Sequence, residues 1–151
     1  MPTIKFEVMG VPQGKGRPKF AKPGNFVMAY TPKKTKDYEL MIRGVYLQWL
    51  MENHGRQANE IKDRPFNLDV IANFNVPVSL SKKKQHELLC HEYHTKKPDI
   101  DNIVKVILDA LNEVAFNDDS QLVFLTASKR YTNKPTSVEV VFTWEEDDEP
   151  V

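Results

Sequence analysis

The segment 66–76 constrains the fold more than any other, because apolar and polar residues alternate along it. Every second position is apolar, namely Phe66, Leu68, Val70, Ala72, Phe74 and Val76. The positions between them carry Asn or Asp, with Ile71 as the one exception. A period of two residues is typical of a β-strand that has one face against a core. A sheet built from such strands must be covered by a second layer on its apolar face.

The rest of the chain predicts the neighbouring strands and the covering layer. Alternation predicts strands over 3–9, 121–131 and 137–144, and helical spacing predicts helices over 32–52, 79–91 and 99–114. The segment 10–32 is rich in Gly, Pro and Lys and predicts a long loop, with a short irregular strand around Arg17–Phe20. We expect a two-layer, single-domain α+β fold in which a mixed or antiparallel sheet of about four strands packs on helices. The order of the strands stays open.

The formal net charge of the 151 residues is zero, but the charges are unevenly distributed. Residues 145–149 are all acidic, and a chain without these five negative charges would carry +5. Residues 1–36 hold eight basic side chains and a single acid, Glu7. A local excess of this size predicts a surface that binds an anionic partner such as nucleic acid. The acidic C-terminal tail, 145–151, is predicted to be disordered.

The sequence does not predict a membrane protein or a secreted one. Met1–Lys5 lacks the apolar stretch of a signal peptide, and no run approaches the roughly 18 apolar residues of a membrane span. The single cysteine, Cys90, excludes an intramolecular disulfide. We expect a soluble cytoplasmic protein without a membrane partner.

Acidic side chains gather at the predicted beginning of the helix 99–114. At about 100° per residue, the apolar residues of this helix form one stripe, and Asp101, Lys105 and Asp109 lie on the opposite side. Asp99 lies just before the first turn, beside Asp101. Carboxylates of this kind bind Mg²⁺, which takes hard oxygen ligands and often only one or two carboxylates per ion. Mg²⁺ assists phosphodiester hydrolysis by offsetting phosphate charge and helping to generate hydroxide. Lys105 is placed to hold the scissile phosphate or to stabilise developing charge.

These acids also have purely structural interpretations, which the sequence leaves open. Asp99 and Asp101 are favoured at a helix N-terminus by capping and by the macrodipole. Asp101 and Lys105 have the spacing of an i,i+4 ion pair. A second acidic pair, Asp118 and Asp119, follows the helix and precedes the next strand. If that strand returns beside the helix, this pair can approach the first two aspartates.

Three groups of residues along the chain follow the pattern of a known family. They are an N-terminal group (Gly10–Pro12, Lys15–Pro18, Tyr30–Pro32 and Thr35), a central signature (Lys97–Lys105) and a second acidic motif (Asp118–Gln121). Together, and in this order, they resemble the RusA family of Holliday-junction resolvases, small endonucleases often encoded by phages and prophages. The resemblance extends from about residue 4 to residue 144 and implies one endonuclease domain over 4–144.

The resemblance implies a homodimer in the cytoplasm of a bacterial cell that binds a four-way DNA junction and makes paired, symmetric incisions in DNA recombination and repair. It implies Mg²⁺ as the metal, with Mn²⁺ as a substitute and no small-molecule cofactor. It implies metal ligands at Asp99, Asp101 and a carboxylate of the second acidic motif, for which Asp119 is favoured and Asp118 remains open. It implies that Lys105 is the essential lysine, which completes a catalytic set of Asp99, Asp101, Lys105 and Asp119.

With this resemblance, the basic side chains of the N-terminal loop and of the central signature are expected to contact DNA phosphates. The expected contacts are Lys15, Arg17, Lys19, Lys22 and Lys97. An alternative from another class is a junction-binding protein that does not cut and whose acids are structural. The two interpretations differ in one property, because only a nuclease needs Asp101 for turnover.

Overall fold

The alternating segment forms a central strand of a mixed sheet. In this computed structural model, which describes residues 2–22, 24, 26–53 and 61–145, the alternation of buried and less buried side chains along that strand is complete. The strands are β1 (Thr3–Met9), β2 (Lys19–Ala21), β3 (Met28–Tyr30), β4 (Phe66–Asn75), β5 (Leu122–Thr132) and β6 (Ser137–Thr143). The described helices are α1 (Lys33–Glu52), α2 (Lys82–His91) and α3 (Ile100–Leu111), and a short 3-10 turn, Asp119–Gln121, precedes β5.

Four of the strands form one sheet, in the order β1-β6-β4-β5. β6 pairs antiparallel with β1 and with β4, whereas β4 and β5 pair in parallel. A parallel pair needs a long crossover, and the chain from α2 through α3 supplies it. The remaining two strands, β2 and β3, form a separate antiparallel hairpin. The predicted α+β class with a mixed sheet is therefore confirmed, and the strand order is added to it.

The core lies between one face of the sheet and the helices α1 and α3. The apolar alternation of β1, β4 and β6 points to this face, where Phe66 stacks on Phe116 with 4.7 Å between ring centroids. α3 contributes the apolar stripe that the sequence predicts, with Ile103, Val104, Ile107 and Leu111 all buried. The opposite face of the sheet is polar, which explains the Asn and Asp residues of β4. Asn73, for example, donates hydrogen bonds to Ser137 and Glu139.

Three boundaries differ from the sequence predictions, each for a local reason. α3 ends at Leu111 and not at residue 114, because the chain turns at Glu113, whose φ is 65°. α2 begins at Lys82, where the hydroxyl of Ser81 accepts a hydrogen bond from the N–H of Lys84. The segment 10–32 contains a complete hairpin instead of one short strand.

Two further expectations concern the ends and the surroundings of the chain. Residues 146–151 of the predicted acidic tail lie outside the described residues. In the described part of the chain, no helix combines the length and the apolar character needed to cross a membrane.

Candidate functional site

The two aspartates at the beginning of α3 do not use their carboxylates for capping. Asp99 is the N-cap residue, with φ −69° and ψ 145°, yet its side chain accepts no capping hydrogen bond. Its ion pair with Lys97 is long, at 4.0 Å between Nζ and Oδ1. Asp101 lies exposed in the first turn, and among the described residues it forms no ion pair with Lys105. The capping and ion-pair interpretations are therefore not realised here, although the macrodipole still favours an acid at Asp101.

Two cavities flank these carboxylates, and Asp99 lines both of them. The first, of about 520 Å³, lies between the beginning of α3 and the N-terminal loop, and its lining includes Lys34, Lys97 and Asn102. The second, of about 610 Å³, lies between α3 and β5, and its lining includes Asp101 and Lys129. The acidic pair thus lies between the two cavities, with the basic N-terminal loop on one side and the edge strand β5 on the other.

The N-terminal loop is fastened to the beginning of α3 by its backbone. The N–H of Lys15 donates to the carbonyl oxygen of Asn102 at 2.9 Å. Gly14 makes this approach possible, because a Cβ at that position would lie 3.0 Å from the Cβ of Asn102 and 3.1 Å from that of Pro98. On the other side, the N–H of Gly16 donates to Oγ1 of Thr35, the buried threonine of α1. The loop, α1 and the acidic end of α3 are therefore held as one unit.

Lys15 occupies an internal position in this unit. Its Nζ lies 2.6 Å from Oε1 of Glu39 and 3.1 Å from Oδ2 of Asp109, and only 18% of its side chain is exposed. Burial lowers the pKa of Lys15, but hydrogen bonds and charge from Glu39 and Asp109 outweigh burial and raise it overall. Lys15 was predicted to contact DNA. It stays a predicted contact, but the ammonium group already has two acidic partners.

We expect Lys15→Met to destabilise the protein by about 1–3 kcal/mol, because it leaves two partly buried carboxylates without their cation. The free energy of unfolding from denaturant titration measures this. Lys19→Met is the matched control, since Lys19 is exposed on β2, and it should change the value by less than about 0.5 kcal/mol. Equal effects of the two substitutions would contradict the role given to Lys15.

The other predicted DNA contacts lie at the surface. Arg17, Lys19 and Lys22 are exposed along or beside β2, and the side chain of Lys97 is almost fully exposed next to Asp99. Lys105 is exposed one turn after Asp101. Their exposure leaves these side chains accessible to phosphates, as the predicted DNA contacts require.

Lys129 is a residue of the site that the sequence interpretation missed. It lies on β5 in phase with Ala127 and Tyr131, and its ammonium group donates to the carbonyl of Lys96. Its position beside Asp101 follows from the parallel pairing of β4 and β5, which the sequence did not reveal. The sequence signal that could have found Lys129 is its position on the predicted strand, on the same face as Ala127 and Tyr131.

His94 lines the same cavity and is held at the edge of β5. Its backbone N–H donates to the carbonyl of Lys129 at 3.1 Å, and its ring stacks on the ring of Phe74, with 3.7 Å between the centroids. Nδ1 is buried without a hydrogen-bond partner in the described structure. Burial, together with the charges of Lys129 and Lys96, lowers the pKa of His94. His94 is therefore a neutral ring that closes one side of the cavity next to the acids.

The second acidic motif lies in the 3-10 turn before β5, and its two aspartates differ in their bonding. The carboxylate of Asp118 accepts from the N–H of Ser120 at 3.2 Å, within a capping box completed by Gln121. Hydrogen bonds from Ser120 lower the pKa of Asp118. The carboxylate of Asp119 is exposed and makes no comparable hydrogen bond within the described ranges. Of the two, Asp119 has the freer carboxylate.

This turn is at the far end of α3 from the first acidic pair. The side-chain amide of Gln121 donates to the carbonyls of Lys62 and Arg64, at 2.8 Å each, which pins the turn to the segment 61–64. From Asp101 to Leu111 the helix rises about 15 Å at 1.5 Å per residue. From Leu122 to Ala127, the part of β5 nearest Asp101, the strand advances about 16 Å. One chain therefore does not bring Asp118 or Asp119 to Asp99 and Asp101.

The first acidic pair alone suits a hard cation. Asp99 and Asp101 offer carboxylate oxygens without capping bonds, and Mg²⁺ commonly takes one or two carboxylates with water and phosphate as its other ligands. Within the described part of a single chain, there is no group of three or more His, Cys, Asp or Glu residues arranged to hold a metal ion. Asp99 and Asp101 thus fit a magnesium site whose remaining ligands come from outside the chain.

Comparison with known proteins shows the family of the chain. The family model described as endodeoxyribonuclease RusA matches residues 9–142. An uncharacterized protein of Bacillus subtilis (strain 168), YqaN, is 35% identical over 138 residues, which cover 89% of this chain and 92% of that protein. The matched region contains the loop, both acidic motifs and β5. The chain belongs to the RusA family of endodeoxyribonucleases.

Proposed function

We propose that this protein is a metal-dependent endonuclease that resolves four-way DNA junctions by paired phosphodiester hydrolysis, in DNA recombination and repair. The observation that carries the proposal is the pair of carboxylates at Asp99 and Asp101, which make no capping bond and lie beside a basic loop. Membership of the RusA endodeoxyribonuclease family supports the nuclease reaction and the branched substrate. We further propose that the protein acts in the bacterial cytoplasm.

In this proposal, Asp99 and Asp101 hold Mg²⁺, for which Mn²⁺ substitutes. When bound, the ion offsets phosphate charge and helps to generate and stabilise the reacting oxygens. Lys97 and Lys105 flank the aspartates and place positive charge against the substrate phosphate. His94, whose ring stacks on Phe74, forms part of the wall of the cavity between α3 and β5.

The third carboxylate is proposed to come from a second copy of the chain. Because Asp119 lies at the far end of α3, a single chain cannot supply it to Asp99 and Asp101. A four-way junction has approximate two-fold symmetry and needs two cuts, and a two-fold dimer presents two equivalent sites. A homodimer would therefore match the symmetry of the substrate and would also supply the third carboxylate.

The edge strand β5 is the surface proposed for this dimer. Among the described residues, its outer edge is covered only near its C-terminal end, where Tyr93 bridges to Arg130 and His94 to Lys129. Before that point it exposes Val123, Phe124 and Leu125, with Phe124 71% exposed. A long open edge with apolar side chains is the kind of strand that pairs with another chain.

Antiparallel pairing of two β5 strands would place the missing carboxylate correctly. If the two-fold axis passes at Phe124, the open edges pair as far as about residue 128, and the 3-10 turn that carries the partner's Asp119 lies just beyond that point, beside Lys129. Lys129 lines the cavity that contains Asp101, and paired strands are about 4.8 Å apart. The partner's Asp119 would then reach the metal site from the open side.

The test of the function is a cleavage assay on a labelled synthetic four-way junction and a linear duplex of the same sequence. We expect paired nicks in the junction with Mg²⁺ or Mn²⁺, no nicks without a divalent ion, and no cutting of the duplex. Binding of the junction without cutting in any divalent metal would instead support the non-cleaving junction-binding protein.

A further inference from the structure

The hairpin of β2 and β3 exposes large apolar side chains. Phe20 is 70% exposed and Phe26, in the connection between the strands, is 75% exposed, while Met28 and Tyr30 are also exposed. The two strands pair with each other and with no other strand of the described structure. A two-stranded hairpin on its own is marginally stable, and exposed apolar groups of this size indicate a partner.

The apolar side chains occupy both faces of the hairpin. Phe20 lies opposite Ala29, whereas Tyr30 lies opposite Lys19, so the two rings point to opposite faces. A flat protein surface would cover only one of these faces. An element with rings on both faces is suited to enter a gap whose two walls are both apolar.

The charge of the hairpin identifies an anionic partner. Arg17, Lys19 and Lys22 lie along it, and there is no acid in the sequence between Glu7 and Asp37. Positive charge interleaved with aromatic rings is the combination that binds nucleic acid strands, in which phosphates meet the cations and bases meet the rings.

The hairpin also begins and ends beside the acidic site. It leaves the loop at Gly16, which is bonded to Thr35, and it returns directly to α1. Phe20 is the fourth residue after Gly16, so the two are at most about 14 Å apart along the extended chain. At about 3.4 Å per base step, that reach corresponds to about four steps of a DNA strand.

We propose that the hairpin enters the branch point of the DNA substrate and stacks Phe20 and Phe26 on bases that the junction leaves unstacked. The proposal rests on the proposed function and extends it, because it assigns the preference for branched DNA to this element. Inside a duplex, an aromatic ring can stack on a base only after that base has left its own stack, which costs free energy. At a branch point the stack is already interrupted, so the hairpin gains the contact without this cost.

The experiment uses synthetic junctions with 2-aminopurine at the branch point, because the fluorescence of an unstacked 2-aminopurine falls when an aromatic ring stacks on it. Full-length wild type, Phe20→Ala, Phe26→Ala and Phe20→Tyr are compared for fluorescence change and for affinity to junction and duplex. We expect wild type to lower the fluorescence, and each alanine variant to lose this decrease together with about tenfold of junction affinity, with duplex affinity kept. Phe20→Tyr, which keeps the ring, should behave as wild type.

Two controls separate stacking from charge and from general surface change. Arg17→Ala should weaken junction and duplex binding alike and reduce the salt dependence of both. Met51→Ala removes an equally exposed apolar side chain from α1 and should change nothing. Thermal unfolding of each variant shows that the fold is retained.

The outcomes are distinguishable. Junction cutting by wild type together with unchanged fluorescence and affinity in both alanine variants overturns the inference and leaves the proposed function standing. Loss of self-association in Phe20→Ala, or loss of binding to anionic lipid vesicles without change on DNA, would assign the hairpin to a second copy or to a membrane and overturns it as well. Absence of junction binding by wild type overturns the function and the inference together.

Discussion

Asp101→Asn should abolish nicking of four-way junctions while leaving the binding of those junctions intact. A carboxylate that holds the catalytic ion contributes several kcal/mol to transition-state stabilisation, so the nicking rate should fall by at least about 10³-fold. Binding should be retained or slightly tighter, because a negative charge has been removed next to phosphates. Single-turnover cleavage and an equilibrium binding titration on the same labelled junction measure the two quantities.

Asp37→Asn is the matched control for this substitution, because Asp37 is an exposed aspartate on α1 that lines neither cavity beside the acidic pair. It should nick junctions at the wild-type rate. If Asp101→Asn also nicks at the wild-type rate, the carboxylate is a structural feature of the first turn of α3. If it loses binding and nicking together, the residue acts in binding, and the metal assignment is wrong.

Mixed dimers of Asp101→Asn and Asp119→Asn should recover one nick per junction. In such a dimer, one site combines both substitutions, and the other combines an intact Asp101 with the partner's intact Asp119. Each variant alone should be inactive, so recovery from two inactive proteins is a large effect. The measurement is nicking by differently tagged subunits, co-expressed and purified as the mixed species.

Mixing Asp99→Asn with Asp101→Asn is the control for subunit exchange. Both of these residues come from the same chain of a site, so every site in the mixed dimer stays damaged and nicking should not return. Failure of Asp101→Asn and Asp119→Asn to complement, in dimers shown to be mixed, would contradict a site shared between chains. Repeating the mixture with Asp118→Asn separates the two candidates of the second acidic motif.

The sequence predicted those parts of the fold that depend on local pattern. The alternation of β4 and the apolar stripe of α3 are properties of neighbouring residues, and both have the structure that they predicted. The two-stranded hairpin was only partly foreseen, because its strands are three residues each and lack the apolar alternation of a strand on a core. The hydrogen bonds and exposed rings of such an element follow from its pairing and not from its composition.

The candidate site was harder to predict where it depends on long-range geometry. Asp99 and Asp101 are two residues apart, so the sequence alone indicates that they lie together. The sequence predicts Lys15 as a DNA contact and does not reveal its pairing with Glu39 and Asp109, because that pairing arises only when the loop packs against two helices. The sequence leaves open whether the strand that returns beside α3 brings Asp118 or Asp119 to the first pair, and in the structure the full length of α3 separates them.

The two edges of the sheet have unequal capacity to accept another strand, and this limits how far the protein can assemble. The open part of β5 is apolar, whereas the opposite edge, β1, carries the exposed charges of Lys5 and Glu7. Charged edge strands oppose further pairing. When two chains pair through β5, the open apolar edge of each chain is buried, and no second apolar edge of the described sheet is left for another chain. We therefore expect assembly to end with two chains instead of growing into a filament, even at high concentration. Substitutions that make β1 uncharged and apolar would remove that limit.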